Sequence, residues 1–440
     1  MLNQPAEFSA TLPDDTAIRV SRKRILIGAT IGNAFEYFDL TVFSFFAVII
    51  GRLYFPAESG VLEILLSSAA FGIGYLTRPI GAILFGHIAD RCGRLAAMRL
   101  TLLLMALGTG IIAFAPTHRS IGMAAPVLIV IARMLQGLSA GGEIGPATAL
   151  LLEQSPPRTR GWITSWQFAS QGGAAALGAL SSYLITVSME PDTLVAWGWR
   201  IPFAIGVLIA PVGLWLRTTM DAPRHIGDAV VAVGPRRASP LRELLRDYRG
   251  PALITFLLVA AGAATQSIVF FYLPTYAATR LHMAPSSASS TAIAGGVLTF
   301  VMAPIGGALS DRVGRKLVTQ ASRVAITVLV YPAFLLLTQH PSTLLLLFLF
   351  CLLGALHGIN AGANGPMLAE AFPHHVRSTG MALPFGLAVA IFGGFGPFIV
   401  TGLVHLSDNP LIPAWYLLAC GIPAMAGILF LRDMSGRTLD

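Results

Sequence analysis

Long apolar runs recur along this 440-residue sequence, from about residue 25 to about residue 432. A helix needs roughly 20 residues to cross the hydrocarbon core of a bilayer. The runs lack the two-residue alternation of membrane barrel strands, and hydrocarbon satisfies no backbone group, so the runs must be helical. We predict an all-α membrane protein with twelve transmembrane helices, at about 25–50, 61–86, 96–115, 121–152, 162–187, 201–217, 251–280, 288–309, 317–337, 343–371, 378–405 and 412–431.

Charge distribution predicts how these helices are oriented. Only 11% of the residues are charged, against about 25% in an ordinary soluble protein. Lys and Arg collect in cytoplasmic loops, and most of the 29 basic residues lie in alternate loops on the side of the N-terminus. Both termini are therefore predicted to be cytoplasmic, in a multi-pass protein of the cell inner membrane. This topology accounts for the net charge of +8 without a nucleic-acid partner. The opposite side carries Arg52, Arg119, Arg200 and Arg280, while Arg78 and Arg133 remain inside helices.

The sequence divides into two halves that repeat each other. The hydrophilic stretch 218–250 separates six predicted helices from six, which gives a tail (1–24), a bundle (25–217), a linker (218–250), a second bundle (251–432) and a tail (433–440). "GHIADRCGR" at 86–94 returns as "GALSDRVGR" at 307–315, and "EQSPPRTRG" at 153–161 is matched by "EAFPHHVRSTG" at 370–380. Transporters use such duplicated units to build a site between two halves that move about it.

The repeated G-x-x-x-D-R-x-G-R loop, with the 6+6 layout, resembles the major facilitator superfamily. Within it, "GNAFEYFD", "RPIGAILFGHIADRCGR", "RMLQGLSAGGEIG" and "WGWRIPF" resemble the metabolite:proton symporter family over nearly the whole chain. "TSWQFASQ" at 164–171 and "AIFGGFGPFIVTGLV" at 390–404 are more similar to citrate and tricarballylate members than to the others. The resemblance implies a proton symporter that imports citrate or a related di- or tricarboxylate. Oxoglutarate, shikimate or a betaine-like osmolyte is the alternative substrate.

Acidic side chains inside the helices are candidates for proton coupling, because a charge at the bilayer centre requires a partner or a wet cavity. Glu36 and Asp39 lie one turn apart on helix 1, and two carboxylates in a low dielectric do not both ionise cheaply. We therefore predict that Asp39, Glu36 and Glu143 carry protons. The alternatives are a static ion pair between helices 1 and 4, and a purely packing role for Glu143.

Arginine inside the helices is the natural host for an anion, since its planar fork matches a carboxylate. Arg133 is the first candidate, although it can instead be the partner of Asp39 or Glu36, and Arg78 can instead stabilise a bend of helix 2. Neutral polar groups on helices 5, 7 and 10 can hydrogen-bond the same substrate or simply join helices. The predicted substrate-binding residues are Arg133, Arg78, Gln167, Gln171, Gln266, His357, Asn360 and Asn364.

The repeated loops are predicted to hold one end of the protein shut. Their acids can accept hydrogen bonds at helix N-termini or pair with nearby arginines, and by resemblance they form a cytoplasmic latch. Positive-inside loops alone would explain the arginines but not the repeated acids. The predicted gating residues are Asp90, Arg91, Arg94, Glu153, Arg160, Asp311, Arg312, Arg315, Glu370 and Arg377.

An enzyme is the rival class of function. "GLSAG" at 137–141 matches the G-x-S-x-G nucleophile elbow, but that elbow needs a strand before the serine and this copy lies in an apolar helical run. We predict small-residue helix packing there. No zinc or ATP-binding motif is found, so we predict no metal, no cofactor and no enzymatic activity, and partners limited to protons, the anion and lipid around a monomer.

Overall fold

The computed structural model describes residues 15–92, 94–153, 155–156, 158–208, 211, 240–372 and 374–431, which are helical apart from short connections. We number the long helical segments α1 to α12. They are α1 (Asp15–Phe45, then Ala47–Tyr54), α2 (Gly60–Leu76, then Arg78–Cys92), α3 (Arg94–Phe114), α4 (Ala124–Glu153), α5 (Arg160–Ser188), α6 (198–208, from the 3-10 turn Gly198–Arg200), α7 (Arg249–Gln266, the π-helical Ser267–Tyr272, and Leu273–Thr279), α8 (Pro285–Val313), α9 (Arg315–Gln339), α10 (Thr343–Glu370), α11 (His374–Ala388, the π-helical Val389–Gly394, and Gly396–Ser407) and α12 (Ile412–Phe430). Short helices span His118–Ile121, Pro191–Ala196 and Pro240–Asp247.

Each predicted span falls on one of these segments, so the predicted fold class is confirmed. Among the described residues, seven segments are long and apolar enough to cross a membrane, and two bent pairs bring the number to nine. The bends are 69° within α1 and 41° within α11. The segments α3 and α6 contribute shorter apolar helices, and α5 is long enough at 29 residues but carries more polar side chains. The predicted span 201–217 is described only to residue 208 and at 211.

The domain boundaries remain predictions. Helix α1 begins at Asp15, inside the stretch predicted as a tail. The helix Pro240–Asp247 lies inside the predicted linker, and its Leu244 packs against Phe372 next to α11. The rest of the predicted linker, residues 218–239, and the predicted C-terminal tail lie outside the described residues.

Glycines allow the central helices of each half to touch backbone to backbone. A Cβ added to Gly137 of α4 would lie 1.6 Å from the carbonyl oxygen of Gly74 in α2. In the second half, a Cβ on Gly362 of α10 would lie 2.1 Å from the carbonyl oxygen of Ala303 in α8. These equivalent close pairs, α2 with α4 and α8 with α10, reflect the repeat seen in the sequence.

The two halves meet along α5 with α8 and along α2 with α11. A Cβ on Gly161 of α5 would lie 2.7 Å from the carbonyl oxygen of Gly307, and one on Gly296 of α8 would lie 2.6 Å from the backbone nitrogen of Ala176. Between α2 and α11, a Cβ on Gly72 would lie 2.8 Å from the ring of Phe395. We call the end of the molecule where α8 passes into α9 the motif end, because one repeated loop lies there. The other end is the opposite end.

Candidate functional site

Asp39 and Arg133 form a buried ion pair at the centre of the first half. Each side chain is 1% exposed, and Arg133 Nη1 lies 3.2 Å from Asp39 Oδ2. Gln136, one turn along α4, donates to the same carboxylate oxygen at 2.7 Å and accepts from Arg133 Nη1 at 2.8 Å. The guanidinium stacks on the ring of Phe43, 3.7 Å from its centroid. Gln136 was not predicted from the sequence, although its position three residues after Arg133 places it on the same helical face.

Glu36 and Arg78 form a second buried pair, one helical turn away along α1. Arg78 Nη2 lies 2.5 Å from Glu36 Oε1, and the guanidinium lies 3.9 Å from the centroid of the Tyr75 ring. Each carboxylate therefore has an arginine of its own. If these carboxylates bind protons, as predicted, this geometry separates the two sites rather than joining them through one shared proton.

Several polar atoms of these two pairs have no hydrogen-bond partner among the described residues. They are Nε and Nη2 of Arg133, Nε and Nη1 of Arg78, and Oδ1 of Asp39. Buried donors and acceptors without partners are rare in proteins, because each loses its hydration without compensation. The four arginine nitrogens are therefore available to the oxygens of an anion. A small cavity lined by Glu36, Tyr75, Arg78, Arg133 and Gln136 lies beside them.

A chain of amides connects this region to the second half. Asn33 donates to the carbonyl oxygen of Gln167 at 2.8 Å and to Ser170 at 2.9 Å, and Gln171 donates to Asn33 at 3.4 Å. Gln266 of α7 donates to Gln171 at 3.0 Å. Gln266 also accepts from the Tyr37 hydroxyl of α1 at 3.2 Å. The structure thus brings the predicted residues Gln167, Gln171 and Gln266 together at the interface, and adds Asn33 and Tyr37, which were not predicted.

The predicted residues of α10 lie in the second half. His357, Asn360 and Asn364 are all buried. Asn360 donates to the carbonyl oxygen of Thr319 and to the Ser322 hydroxyl, both at 3.0 Å, while its own oxygen accepts from Arg323 at 2.6 Å. The prediction that Arg78 and Arg133 are the arginines inside the helices was therefore incomplete, because Arg323 also lies inside one. Arg323 is 1% exposed inside α9. Its position in the apolar run 317–337 is the sequence feature from which its burial could have been predicted.

At the motif end, an acid of the second half caps a helix of the first. Asp311 accepts hydrogen bonds from the backbone N–H groups of Gly161 and Trp162, each at 2.9 Å, at the N-terminus of α5. Its carboxylate lies 3.7 Å from Arg315. Carboxylates at helix N-termini satisfy free N–H groups and complement the helix dipole.

Glu370 forms a second bridge across the motif end. Its carboxylate pairs with Arg315 of its own half and lies 3.4 Å from Arg160 Nη1 of the first half. Asp311, Arg315, Glu370 and Arg160, all predicted gating residues, therefore form one cluster that joins the halves. Arg312 is exposed beside it.

The structure does not describe the side chains of the remaining predicted residues. The side chains of Glu143, Asp90, Arg91, Arg94, Glu153 and Arg377 lie outside the described part of the chain. Their roles stay predictions from the sequence.

The serine of "GLSAG" is inside a helix, as predicted. Ser139 is 2% exposed in the middle of α4, and its hydroxyl donates to the carbonyl oxygen of Thr101 at 2.7 Å. Gly137 and Gly141 on either side of it pack against the backbone of α2. A buried hydroxyl in a regular helix has neither the strand nor the exposed turn of a nucleophile elbow.

A polar contact also stands at the opposite end, within the second half alone. Asp408 accepts from Arg280 Nη2 at 2.5 Å, and this hydrogen bond and the nearby positive charge hold the pKa of the Asp408 carboxyl below its usual range. The pair is exposed, so its effect on stability is small.

Comparison with known proteins gives a consistent picture. The sequence profile described as Major Facilitator Superfamily matches residues 29–397 and 278–438. The citrate-proton symporter of Salmonella typhi is 37% identical over 417 residues, covering 93% of this chain and 94% of that protein. The citrate-proton symporter of Klebsiella pneumoniae is 34% identical, covering 94% and 93%. A crystal structure of a D-xylose-proton symporter superposes with a TM-score of 0.77 at 19% identity, covering 95% of this chain and 99% of that one.

Proposed function

Because this chain belongs to the major facilitator superfamily, we propose that it is a proton-coupled symporter that imports a small organic anion, citrate or a related tri- or dicarboxylate. The observation that carries the proposal is the pair of buried arginine–carboxylate contacts, Arg133 with Asp39 and Arg78 with Glu36, whose remaining guanidinium N–H groups have no partner among the described residues. The two citrate-proton symporters that the chain resembles support the choice of anion.

The geometry gives a physical route to coupling. A proton that binds Asp39 removes its negative charge and releases the Nη1 of Arg133 for another acceptor. A substrate carboxylate that binds Arg133 removes the cation that stabilises Asp39 as an anion. The proton and the substrate thus each break the ion pair between Arg133 and Asp39, one by binding the acid and the other by binding the arginine. Each therefore favours the binding of the other, as reciprocal coupling requires. Asp39 Oδ1, which has no partner among the described residues, is where the proton would reside.

Glu36 and Arg78 can work in the same way, one turn nearer the motif end of α1. Two separate carboxylates allow two protons to accompany one anion. This matters because an inside-negative membrane opposes entry by about 2.3 kcal/mol per net charge per 100 mV. Co-transported protons cancel charge on the anion, and they also couple its entry to the pH gradient.

The cluster at the motif end supports alternating access. In our proposal the motif end faces the cytoplasm, both termini lie there, and the contacts of Asp311 and Glu370 hold that end shut while substrate enters from outside. The protein works as a monomer in the cell inner membrane and leaves its substrate chemically unchanged.

Uptake into proteoliposomes tests the proposal. We expect radiolabelled citrate to accumulate when the outside is made acidic, to leak out when a protonophore is added, and to be recovered from the lumen unmodified. Arg133→Gln should abolish accumulation, while Arg119→Gln, which changes an exposed arginine of the same half, should not. Citrate equilibrating without accumulation would exclude proton coupling, and recovery of a converted product would favour an enzyme. Competition by succinate, tricarballylate, oxoglutarate, shikimate and betaine then ranks the substrates.

A further inference from the structure

A buried cation in the second half has no role in the site described above. Arg323 lies within α9 and reaches between α7 and α10. Its Nη1 donates to the carbonyl oxygen of Ala261 and to the Thr265 hydroxyl, both at 3.2 Å, and its Nη2 donates to Asn360 at 2.6 Å. All these acceptors are neutral. Its Nε has no hydrogen-bond partner among the described residues.

Among the described residues of the second half, no carboxylate pairs with this guanidinium. From residue 251 to 431 the acidic residues are Asp311, Glu370 and Asp408. The first two belong to the cluster at the motif end, and Asp408 pairs with Arg280 at the opposite end. Burying a charge without an opposite charge is costly, and neutral hydrogen bonds offset only part of that cost. Arg78 and Arg133, by contrast, each have a carboxylate. An anion bound from outside the chain would supply the counter-charge that Arg323 lacks.

Helix α7 has two partly exposed residues on the face that turns toward the interface between the halves. From residue 258 to 277, every residue of α7 is buried except Gly262 and Gln266. These two are four residues apart and share one face. Gln266 is the residue that contacts Gln171 and Tyr37 of the first half. A Cβ placed on Gly262 would lie 3.9 Å from Arg323 Nη2, so this face of α7 passes next to the guanidinium.

Two neighbours on α10 add unused polar atoms. His357 and Asn364 lie three and four residues from Asn360, on the same side of the helix. Nδ1 of His357 and Oδ1 of Asn364 have no partners among the described residues. Imidazole with its hydrogen on Nδ1 donates to a carboxylate oxygen, and an amide oxygen accepts from a hydroxyl.

We propose that Arg323, with His357 beside it, is a second carboxylate subsite, in the half opposite Arg133, that selects anions with two or more carboxylates over those with one. The inference rests on the proposed function and makes it more specific. A dicarboxylate or tricarboxylate can satisfy buried arginines in both halves at once and so holds the halves together. A monocarboxylate can satisfy only one of them.

Binding measurements on the purified full-length protein test this subsite. The quantity to follow is the ratio of the affinities for citrate and propionate, obtained by competition against radiolabelled citrate. We expect Arg323→Gln to lower this ratio about ten- to a hundredfold, as loss of a charged hydrogen-bonding pair does in a buried site. Arg323→Lys keeps the charge but not the planar fork, so its ratio should fall between those of Arg323→Gln and wild type.

A purely structural role for Arg323 makes a different prediction. If the guanidinium only joins α7, α9 and α10, Arg323→Gln and Arg323→Lys should lower the thermal unfolding midpoint and leave the citrate to propionate ratio unchanged. Thr265→Val is the matched control, because it removes one neutral acceptor of Arg323 and keeps the charge. It should lower the midpoint without changing the ratio. If Arg323→Gln does not fold, the comparison of Arg323→Lys with Thr265→Val decides.

The wild-type protein separates failure of this inference from failure of the proposed function. If wild type binds none of the carboxylates, the proposed function is wrong and the subsite falls with it. If wild type binds citrate and both Arg323 variants keep the wild-type ratio, the subsite is wrong and the proposed function stands.

Discussion

Asp311 provides the sharpest test of how the two halves are held together. It caps α5 of the first half from α8 of the second through two backbone hydrogen bonds of 2.9 Å. A hydrogen bond to a charged group contributes about 1.5 to 3 kcal/mol, and loss of a helix N-cap typically costs about 1 kcal/mol. Because both bonds use one carboxylate, they are not additive, and we expect Asp311→Ala to weaken the closed motif end by about 2 to 4 kcal/mol. At about 1.4 kcal/mol per tenfold change, the ratio of closed to open molecules should fall about thirtyfold or more.

Distances between spin labels measure that ratio directly. Labels on Arg158→Cys and Leu317→Cys would report the separation across the motif end, since both positions are exposed and lie in different halves. The natural cysteines, Cys92, Cys351 and Cys420, must be replaced first. Asp311→Asn should have a smaller effect than Asp311→Ala, because the amide oxygen can still accept one of the two bonds.

Asp408→Asn is the matched control for Asp311. It removes a carboxylate that also pairs with an arginine, but at the opposite end and within one half. It should leave the motif-end distances unchanged. If Asp311→Ala also leaves them unchanged, the capping contact does not hold this end closed and the reasoning above is refuted.

Three further predictions concern the site and its packing. Asp39→Asn should bind citrate but fail to accumulate it against a pH gradient, because asparagine resembles a protonated carboxyl and cannot release a proton; pH-driven accumulation in proteoliposomes would contradict this. Arg133→Lys should reduce citrate affinity about ten- to a hundredfold if the arginine holds a carboxylate through its planar fork. Unchanged citrate affinity together with lost proton coupling would mean that Arg133 serves only as the partner of Asp39. Gly137→Leu should destabilise the protein by about 3 kcal/mol or more, since its Cβ alone would meet the Gly74 carbonyl; the thermal midpoint of Gly110→Ala, whose Cβ has ordinary contacts, provides the comparison.

The sequence by itself determined the membrane class, the spans and the repeat. Hydropathy and loop charge depend on residues that are adjacent in the sequence, so they can be predicted without knowing how the helices pack. For the same reason the helix that carries each candidate was predictable. Asp39 and Glu36 on α1 and Arg133 on α4 were identified as charges inside apolar runs, and Asp311 at the end of α8 was identified from the repeated loop.

The tertiary structure decided which of these residues meet. Asp39 pairs with Arg133 and Glu36 with Arg78, although a sequence argument allows either arginine for either acid. Asp311 caps a helix 150 residues earlier in the chain. Such pairings depend on how helices pack, and here glycines without side chains set the distances between them. Arg323 shows this limit most clearly. It lies within the predicted span 317–337, yet it was not counted among the arginines inside helices. The packing of α7, α9 and α10 shows that it is a buried cation without a carboxylate among the described residues.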